Sequence, residues 1–402
     1  MKNSSLIGLL VILYMLHDVP AISVIYPGPV FGAVTIGTFL LFLYSIKWDK
    51  GIMLLPFFLI PLFNSLLGFR SEGIMSFVGL IQQLIYPLAG VYVIQTRDRK
   101  LSGLLLGIFY LLYMATCITT SIGLQNFPNA SRMQAMGDAS ERPEYWLFQR
   151  MNIGGFDFIY TLVVLFPICI LMWQSRQRLF EKVRFPKLLN LMTILTIVLV
   201  YWTIVSSHFT TAFLLSTSCF VLLLVRRKLH MRRLIFISVV GLLFYSFGRV
   251  YIGDVLIYVS QNTDSEVFQE RLNDLGRSIQ GKVTEGEDFD ERQRVWESSW
   301  NSFLNNPIGS WSSGGGIGGH SVWLDTLAKY GIIGLTFMLI MIRSMNVFIL
   351  KKISDWKVYN CIMFVFFLFF ISALVNPHQY FIVLLFLCPL FLYRFMGIKL
   401  IS

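Results

Sequence analysis

Runs of about 20 apolar residues recur along the whole chain, and a helix of that length crosses a hydrocarbon core of roughly 30 Å. An isolated helix also satisfies its own backbone hydrogen bonds in lipid, where no water is available to do so. Of the 402 residues, 55% are hydrophobic and 14% are charged, whereas about 25% are charged in an average soluble domain. We therefore predict an all-α, polytopic membrane protein, with residues 1–402 forming a single integral membrane domain.

We place about twelve transmembrane helices in the chain, within a range of roughly 11 to 14 set by the lengths of the apolar runs. The first run is expected to kink at Pro20, because proline lacks the N–H that a continuous helix needs. The predicted spans are residues 5–24, 30–46, 51–69, 74–95, 102–122, 155–174, 188–206, 209–225, 234–253, 321–342, 358–374 and 378–394.

The net charge of +11 is unevenly distributed along the chain. The short connections that we place in the cytoplasm, together with the two termini, hold 22 of the 33 Lys and Arg residues but only four acidic residues. This asymmetry follows the positive-inside rule, which fixes the orientation of membrane helices. It predicts that both termini are cytoplasmic, and it does not indicate a nucleic-acid partner.

Two connections on the opposite side are too long to be simple turns: a smaller extracytoplasmic loop over 123–154 and a large one over 254–319. Long loops in compact proteins are usually functional or contain structure of their own. Within the larger loop we predict helices at 264–275 and 289–304, the second ended by Pro307. The five cysteines all lie in apolar runs, so neither a disulfide framework nor a metal site is predicted.

The predicted helix 289–304 carries Arg292, Trp296 and Trp300 at intervals of four residues, on one helix face, and Arg294 beside them. A guanidinium group suits bidentate contact with phosphate, and an indole face suits contact with a sugar ring. The alternative is an amphipathic surface helix lying on the lipid headgroups.

Five glycines within Gly314–Gly319 lead to His320 at the predicted membrane entrance. No Gly-Lys-Ser/Thr follows, so this is not a nucleotide-binding P-loop. His320 is a candidate general base or phosphate ligand, although a lone histidine is more often structural. Asp325 and Lys329 follow in the next span, where they either face a cavity or form a plain ion pair with each other.

Four further residues lie at the predicted outer ends of spans, namely Arg150, His208, Arg249 and His378. Together they would form a receptor for a lipid-linked phosphate. Each of them alone could instead extend from its helix end into the headgroup region.

Arg292-x-x-x-Trp296, Asn306-Pro307-x-Gly309 and His320-Ser321-x-x-Leu324, followed by Tyr330-Gly331-Ile332-Ile333-Gly334, resemble the O-antigen polymerase and ligase superfamily of bacterial envelopes. Over these motifs the resemblance covers about 45 residues, which include the second part of the large polar loop. It implies a GT-C-like membrane fold in the bacterial inner membrane, with the large extracytoplasmic loop before the last three helices.

The resemblance also implies an activity, that of an inverting, metal-independent glycosyltransferase without a cofactor. The substrates would be glycan repeat units on undecaprenyl pyrophosphate, and a chain-length regulator and a lipid-linked sugar flippase would be partners. In this reading Arg292 binds the pyrophosphate and His320 serves as base or second phosphate ligand. Arg294, Trp296 and Trp300 contact the substrate, and Gly318 and Gly319 let the loop approach the glycan.

The sequence departs from the family pattern in two places, and the second of these, a missing arginine, favours a polymerase over a ligase. The family's His-Asn is His320-Ser321 here, and its Ser-Arg-Gly is Ser206-Ser207-His208, so one arginine is missing. Arg249 or Arg150 could replace it. The alternatives are an O-antigen ligase, which transfers lipid-linked glycan to lipid A-core, and a transporter of lipid-linked sugars.

Overall fold

The protein is described here by a computed structural model, in which the placed residues form helices and no strand. The all-α prediction is confirmed. The structure describes residues 3–47, 55–72, 75–134, 141–177, 186–225, 228, 251–263, 269–270, 272–273, 276–277, 280, 288–311, 317–319, 321–375 and 382–397.

The helices follow the predicted spans closely. The first half of the chain contains α1 (Asn3–His17), α2 (Pro20–Ile25), α3 (Gly28–Ser45), α4 (Leu55–Glu72), α5 (Met75–Thr96), α6 (Arg99–Asn126), α7 (Ala130–Met133), α8 (Pro143–Arg150) and α9 (Phe156–Gln174). The second half contains α10 (Pro186–Ser206), α11 (Thr210–Ser218), α12 (Val221–Leu224), α13 (Asp288–Asn305), α14 (Val322–Phe348), α15 (Trp356–Val375) and α16 (Cys388–Met396). A 3-10 turn lies at Leu350–Lys352, a π-helical turn lies at Ile382–Leu387, and residues 251–261 are also helical.

Within the described residues, seven helices are long and apolar enough to cross a membrane, and three shorter apolar helices accompany them. The chain is therefore a multi-pass membrane protein. The seven are Gly28–Ser45, Phe77–Thr96, Arg99–Asn126, Phe156–Gln174, Pro186–Ser206, Val322–Ser344 and Trp356–Leu374. Most of the predicted span 234–253, and much of the predicted helix 264–275, lies outside the described residues.

The first apolar run is broken where the proline predicts a kink. Helix α1 ends at His17, and Pro20 is the first residue of α2, a position at which its missing N–H costs nothing. Between the two helices, the Asp18 carboxylate accepts a hydrogen bond from the Tyr86 hydroxyl. A carboxylate with a hydroxyl donor therefore accompanies the break in the helix.

The connection between α6 and α9 folds back onto the helix ends instead of extending away. Asn152, which has a φ of 56°, donates from its side-chain amide to Thr119 Oγ1 at 3.0 Å. Its carbonyl accepts from the same hydroxyl at 2.7 Å, and its Oδ1 accepts from the Ala21 N–H at 3.3 Å. The backbone N–H of Gly154 donates to Thr120 Oγ1 at 2.8 Å. One asparagine thus joins the loop to α6 and α2.

Helices α9 and α15 pack against each other in the core, where Cys361 Sγ donates to the Pro167 carbonyl at 3.2 Å. At one end of this pair, Gln174 of α9 and Trp356 of α15 line a common depression. At the other end, Trp323 at the start of α14 donates from Nε1 to the Phe370 carbonyl at 2.8 Å. The start of α14 therefore lies at the Phe370 end of the core.

Candidate functional site

Helix α13 confirms the helix predicted at 289–304, and Pro307 follows two residues after its end. From Arg294 onward its side chains are described: Arg294 is exposed, Trp296 is partly buried, and Trp300 is 45% exposed. The Trp300 ring lies 5.5 Å from that of Phe303. The Trp296 indole N–H is buried with no hydrogen-bond partner in the described part of the chain. The two tryptophans therefore differ, since only Trp300 presents much of its ring to the surroundings.

The glycine-rich turn before α14 touches the backbone of α13 at Val295. A Cβ built on Gly318 would lie 2.2 Å from the Val295 carbonyl oxygen, so only glycine fits there without displacement. The Gly318 N–H also donates to Ser299 Oγ at 2.8 Å. Val295 and Ser299 lie one turn apart on the same helix face. The turn therefore contacts α13 at two residues that follow each other along one helix face.

Asp325 holds the same turn from the other side. Its carboxylate is 8% exposed and accepts from the Ser299 hydroxyl at 2.7 Å. It also accepts from the backbone N–H of Gly319 at 3.3 Å and from that of Ser321 at 3.2 Å. Hydrogen bonds to an ionised acceptor are stronger than those between neutral groups. These contacts connect α13, the turn and the first turn of α14 through one carboxylate.

In the described part of the chain, the hydrogen-bond donors to the Asp325 carboxylate are Ser299, Gly319 and Ser321, and Lys329 is not among them. Ser321 caps α14, because its Oγ accepts from the Leu324 N–H at 3.2 Å. The Asp325 side chain therefore stabilises the turn and does not cap its own helix. Its partner Ser299 carried no signal in the sequence.

Besides the contact between the turn and α13, there is a second crossing, in which the segment after α13 crosses α14. It lies where α14 is interrupted at Gly331, which has a φ of 56° and a ψ of −137°. At this interruption, the segment after α13 makes hydrogen bonds to three backbone groups of α14. The Ile332 N–H donates to the Pro307 carbonyl at 2.9 Å. The Ala328 and Lys329 carbonyls accept from the backbone N–H groups of Ser310 and Trp311, at 3.2 and 3.0 Å respectively.

Two glycines make this crossing possible. A Cβ on Gly331 would lie 2.1 Å from the Pro307 oxygen, and a Cβ on Gly309 would lie 2.5 Å from the Lys329 oxygen. Both glycines have positive φ, at 56° and 100°. The Asn306-Pro307-x-Gly309 and Tyr330-Gly331 motifs are therefore two halves of one backbone contact.

An aromatic cluster closes this crossing against α4. The rings of Phe63, Trp311 and Tyr330 lie 5.5 to 6.0 Å apart in pairs. The Tyr330 hydroxyl donates to Asn64 Oδ1 at 2.7 Å, across 266 residues of sequence. The junction of α13 and α14 is thus held by backbone hydrogen bonds, a carboxylate and an aromatic cluster.

Four predicted site residues lie wholly or partly outside the described part of the chain: His320, Arg249, His378 and the side chain of Arg292. The backbone of Arg292 belongs to α13, three residues before Val295 and seven before Ser299, the two residues of α13 that meet the turn. His320 lies between Gly319 and Ser321, the two residues whose N–H groups Asp325 holds. The segments that carry the two predicted catalytic residues are therefore adjacent.

Arg150 and His208 lie on other elements. Arg150 is the last residue of α8, and its side chain is exposed. Gly319 lies next to the junction, but a Cβ built on it would meet no atom within 4 Å. His208 follows α10 with a φ of 55°, and its partial burial lowers the pKa of its imidazole below the ordinary 6.5. A histidine with a lowered pKa is mostly neutral at neutral pH and makes a weak phosphate ligand.

A family model described as O-antigen ligase matches residues 191–339, which include both crossings, Ser299 and Asp325. No curated protein matches the chain. The matched region begins within α10 and ends within α14, so it contains the junction and all three sequence motifs. Residues 191–339 are therefore similar to the O-antigen ligase family, and this match supports the resemblance of the loop motifs to the O-antigen polymerase and ligase superfamily.

Proposed function

We propose that the protein polymerises oligosaccharide repeat units carried on undecaprenyl pyrophosphate, at the outer face of the bacterial inner membrane. The product is an O-antigen or a related surface polysaccharide. The carrying observation is the junction at which the turn of His320 is fastened to the helix of Arg292, inside the region that matches the family. Two polar groups that act on one substrate must be held at a fixed separation, and a junction between the segments that carry them supports this requirement.

In the proposed reaction, a hydroxyl oxygen of the acceptor sugar attacks the anomeric carbon of the donor glycan. The bond from that carbon to the pyrophosphate oxygen breaks, and the pyrophosphate leaves with the bonding electron pair. His320 accepts the proton of the acceptor hydroxyl. If His320 instead contacts the phosphate, the departing pyrophosphate accepts that proton. Arg292 stabilises the charge that develops on the leaving group, a contribution that is often the largest in enzymes.

The remaining assignments concern substrate contact. Trp300 is the more exposed of the two tryptophans on α13 and supplies a face for a sugar ring. Trp296 and Arg294 lie on the same helix, one turn or less from Arg292. Gly319 leaves open space at its Cβ position, which allows the glycan to approach the backbone of the turn.

The test is a reaction in proteoliposomes with purified protein, undecaprenyl-pyrophosphate repeat units and a chelator. The native protein should produce a ladder of longer glycans, and Arg292→Ala and His320→Ala should not. Arg292→Lys should also fail, because a point charge does not reproduce the bidentate fork of guanidinium. The matched control is Arg343→Lys, an exposed position towards the other end of α14 that should keep full activity. A fully active Arg292→Lys variant would disprove the pyrophosphate role.

A ligase is the second candidate, and one observation favours it: the matching family model is described as O-antigen ligase. The same proteoliposomes separate the two reactions when lipid A-core is added. Transfer to lipid A-core without any ladder would identify a ligase. Movement of the lipid-linked sugar across the bilayer without either product would instead identify a transporter.

A further inference from the structure

A cleft of about 340 Å³ opens between α6, α9, α10 and α16, away from the junction of α13 and α14. Its wall is formed almost entirely by apolar side chains, among them Leu106, Ile168, Met192 and Phe391. A cavity with such a wall does not favour water, and in a membrane protein it is open to hydrocarbon. Neither the motifs nor the proposed reaction uses it.

The hydroxyl groups at the wall of the cleft are already satisfied within the protein. Thr193 donates to the Leu189 carbonyl at 2.8 Å, and Thr196 donates to the Met192 carbonyl at 2.7 Å. The Tyr110 hydroxyl lies 2.7 Å from Thr196 Oγ1. Because a buried polar group of a ligand needs a partner, these pairings disfavour a sugar or a headgroup inside the cleft. They favour a hydrocarbon chain.

One end of the cleft carries exposed cations on three of its helices. Arg394 of α16 lies across Gly103, whose Cβ position is 3.2 Å from the arginine Nε. Lys100 precedes Gly103 on α6 by three residues, and Lys187 is the second residue of α10. These three side chains are exposed, and in the described part of the chain none has an acidic partner. This end therefore suits a negatively charged headgroup.

The cationic end lies opposite the junction that holds the proposed site. The cleft is lined by Ile168 and Met172, near the Gln174 end of α9, whereas the turn before α14 lies at the Phe370 end of α15. A headgroup at Arg394 therefore belongs to the other membrane leaflet from the proposed reaction. This separation argues against the reactive pyrophosphate as its occupant.

We propose that this cleft is a binding site for an anionic phospholipid, with one acyl chain between α6 and α10 and the phosphate at Arg394. The apolar wall binds the chain through burial, and the cations select the headgroup charge. The site does not depend on the proposed glycan chemistry, and its test measures lipid binding rather than activity.

Gly107 allows the cleft to be filled without disturbing the fold. It lies on the wall of the cleft, and a Cβ built on it meets no atom within 4 Å. Gly107→Phe therefore places a ring in the cleft. Gly37→Phe is the matched control, because Gly37 of α3 also has open space at its Cβ position but lies outside the cleft.

The experiment is native mass spectrometry of full-length protein in mild detergent, with phosphatidylglycerol, phosphatidylethanolamine or undecaprenyl phosphate added. The native protein and Gly37→Phe should retain phosphatidylglycerol, and Gly107→Phe should lose about tenfold in affinity. Arg394→Gln should lower the preference for phosphatidylglycerol over phosphatidylethanolamine by about fivefold, as expected for one cation near an anionic lipid.

Three results would overturn the proposal. Equal retention of phosphatidylglycerol by Gly107→Phe and Gly37→Phe would show that the lipid binds elsewhere. Equal affinity of the native protein for the two phospholipids would remove the role of the cations. Undecaprenyl phosphate at the same concentration could also displace phosphatidylglycerol from the native protein and itself be lost in Gly107→Phe. That result would assign the cleft to the carrier lipid.

Discussion

Ser299 and Asp325 are joined by a hydrogen bond of 2.7 Å, although 26 residues separate them in sequence. Ser299 is 1% exposed, and its oxygen also accepts from the Gly318 N–H. The pair therefore links α13 to both ends of the turn that carries His320. The geometry of the proposed site depends on this link, even though neither residue needs to contact substrate.

Replacing Asp325 should weaken the activity through the position of the turn. Asp325→Asn keeps the size of the side chain but has one acceptor oxygen instead of two, so it cannot hold Ser299, Gly319 and Ser321 together. We expect kcat in the proteoliposome reaction to fall by roughly 100-fold, the cost of a misplacement of about 1 Å, while KM changes little. Rescue by Asp325→Glu would support a positioning role, and unchanged kcat in Asp325→Asn would exclude it.

Ser299→Ala should destabilise the protein as well as the turn. It removes the donor to Asp325 and leaves the Gly318 N–H unsatisfied, at a cost of about 1 to 3 kcal/mol. Ser302→Ala on the same helix is the control, because no hydrogen bond of its side chain is present in the described structure. Thermal unfolding in detergent should separate the two variants. Identical melting temperatures for both would contradict the role of Ser299.

Gly331→Ala should disrupt the crossing of α14 with the segment after α13. The new Cβ would lie 2.1 Å from the Pro307 oxygen, and a φ of 56° disfavours any residue but glycine. We expect a loss of about 3 kcal/mol or more in unfolding free energy, or failure to fold. Gly37→Ala has open space in α3 and should be neutral or stabilising by up to about 1 kcal/mol. A Gly331→Ala protein as stable as the native one would refute the crossing.

Gly318 and Gly319 should respond differently to the same substitution. Gly318→Ala places a methyl group against the Val295 carbonyl and should separate the turn from α13, with a loss of activity of at least about tenfold. Gly319→Ala meets no neighbouring atom, and only its φ of 76° opposes it, at a cost of about 1 to 2 kcal/mol. Glycan ladders from both variants should show the larger loss of activity for Gly318→Ala. A smaller loss for Gly318→Ala than for Gly319→Ala would contradict this prediction.

His208 should make the stability of the protein depend on pH. Because burial lowers the pKa of its imidazole, the folded state resists the proton that the unfolded chain accepts. Its contribution is therefore present above the ordinary pKa of 6.5 and is lost as the pH falls below that value. Melting temperatures of the native protein and His208→Gln should be measured from pH 5 to pH 8. As the pH is lowered, the melting temperature of the native protein should fall more steeply than that of His208→Gln. Parallel curves would contradict this prediction.

The sequence alone predicted the helices well, for a reason that is local. In a membrane, each apolar run must satisfy its backbone hydrogen bonds within the run itself, so length and composition specify the element. Pro20 then marks the start of one helix and Pro307 follows the end of another, whereas Pro61, Pro87 and Pro167 lie inside helices. The helix at 289–304 and the resemblance of the loop motifs to one superfamily came from the same local information.

The partners of those motifs could not be read in this way. Asp325 has Lys329 four residues away, which is the favourable spacing for an ion pair, yet its carboxylate binds Ser299 and two backbone N–H groups of the turn. Likewise, nothing local relates Gly309 to Gly331, whose missing side chains let two backbones cross.

The sequence by itself therefore determined an all-α membrane protein and the segments that carry the family motifs. Only the tertiary structure decided which groups hold those segments together, and where α6, α9, α10 and α16 leave a cleft. The physical reason is that a helix is stabilised by bonds between near neighbours in sequence. The junction and the cleft depend on contacts between distant segments, whose geometry exists only after the helices have packed.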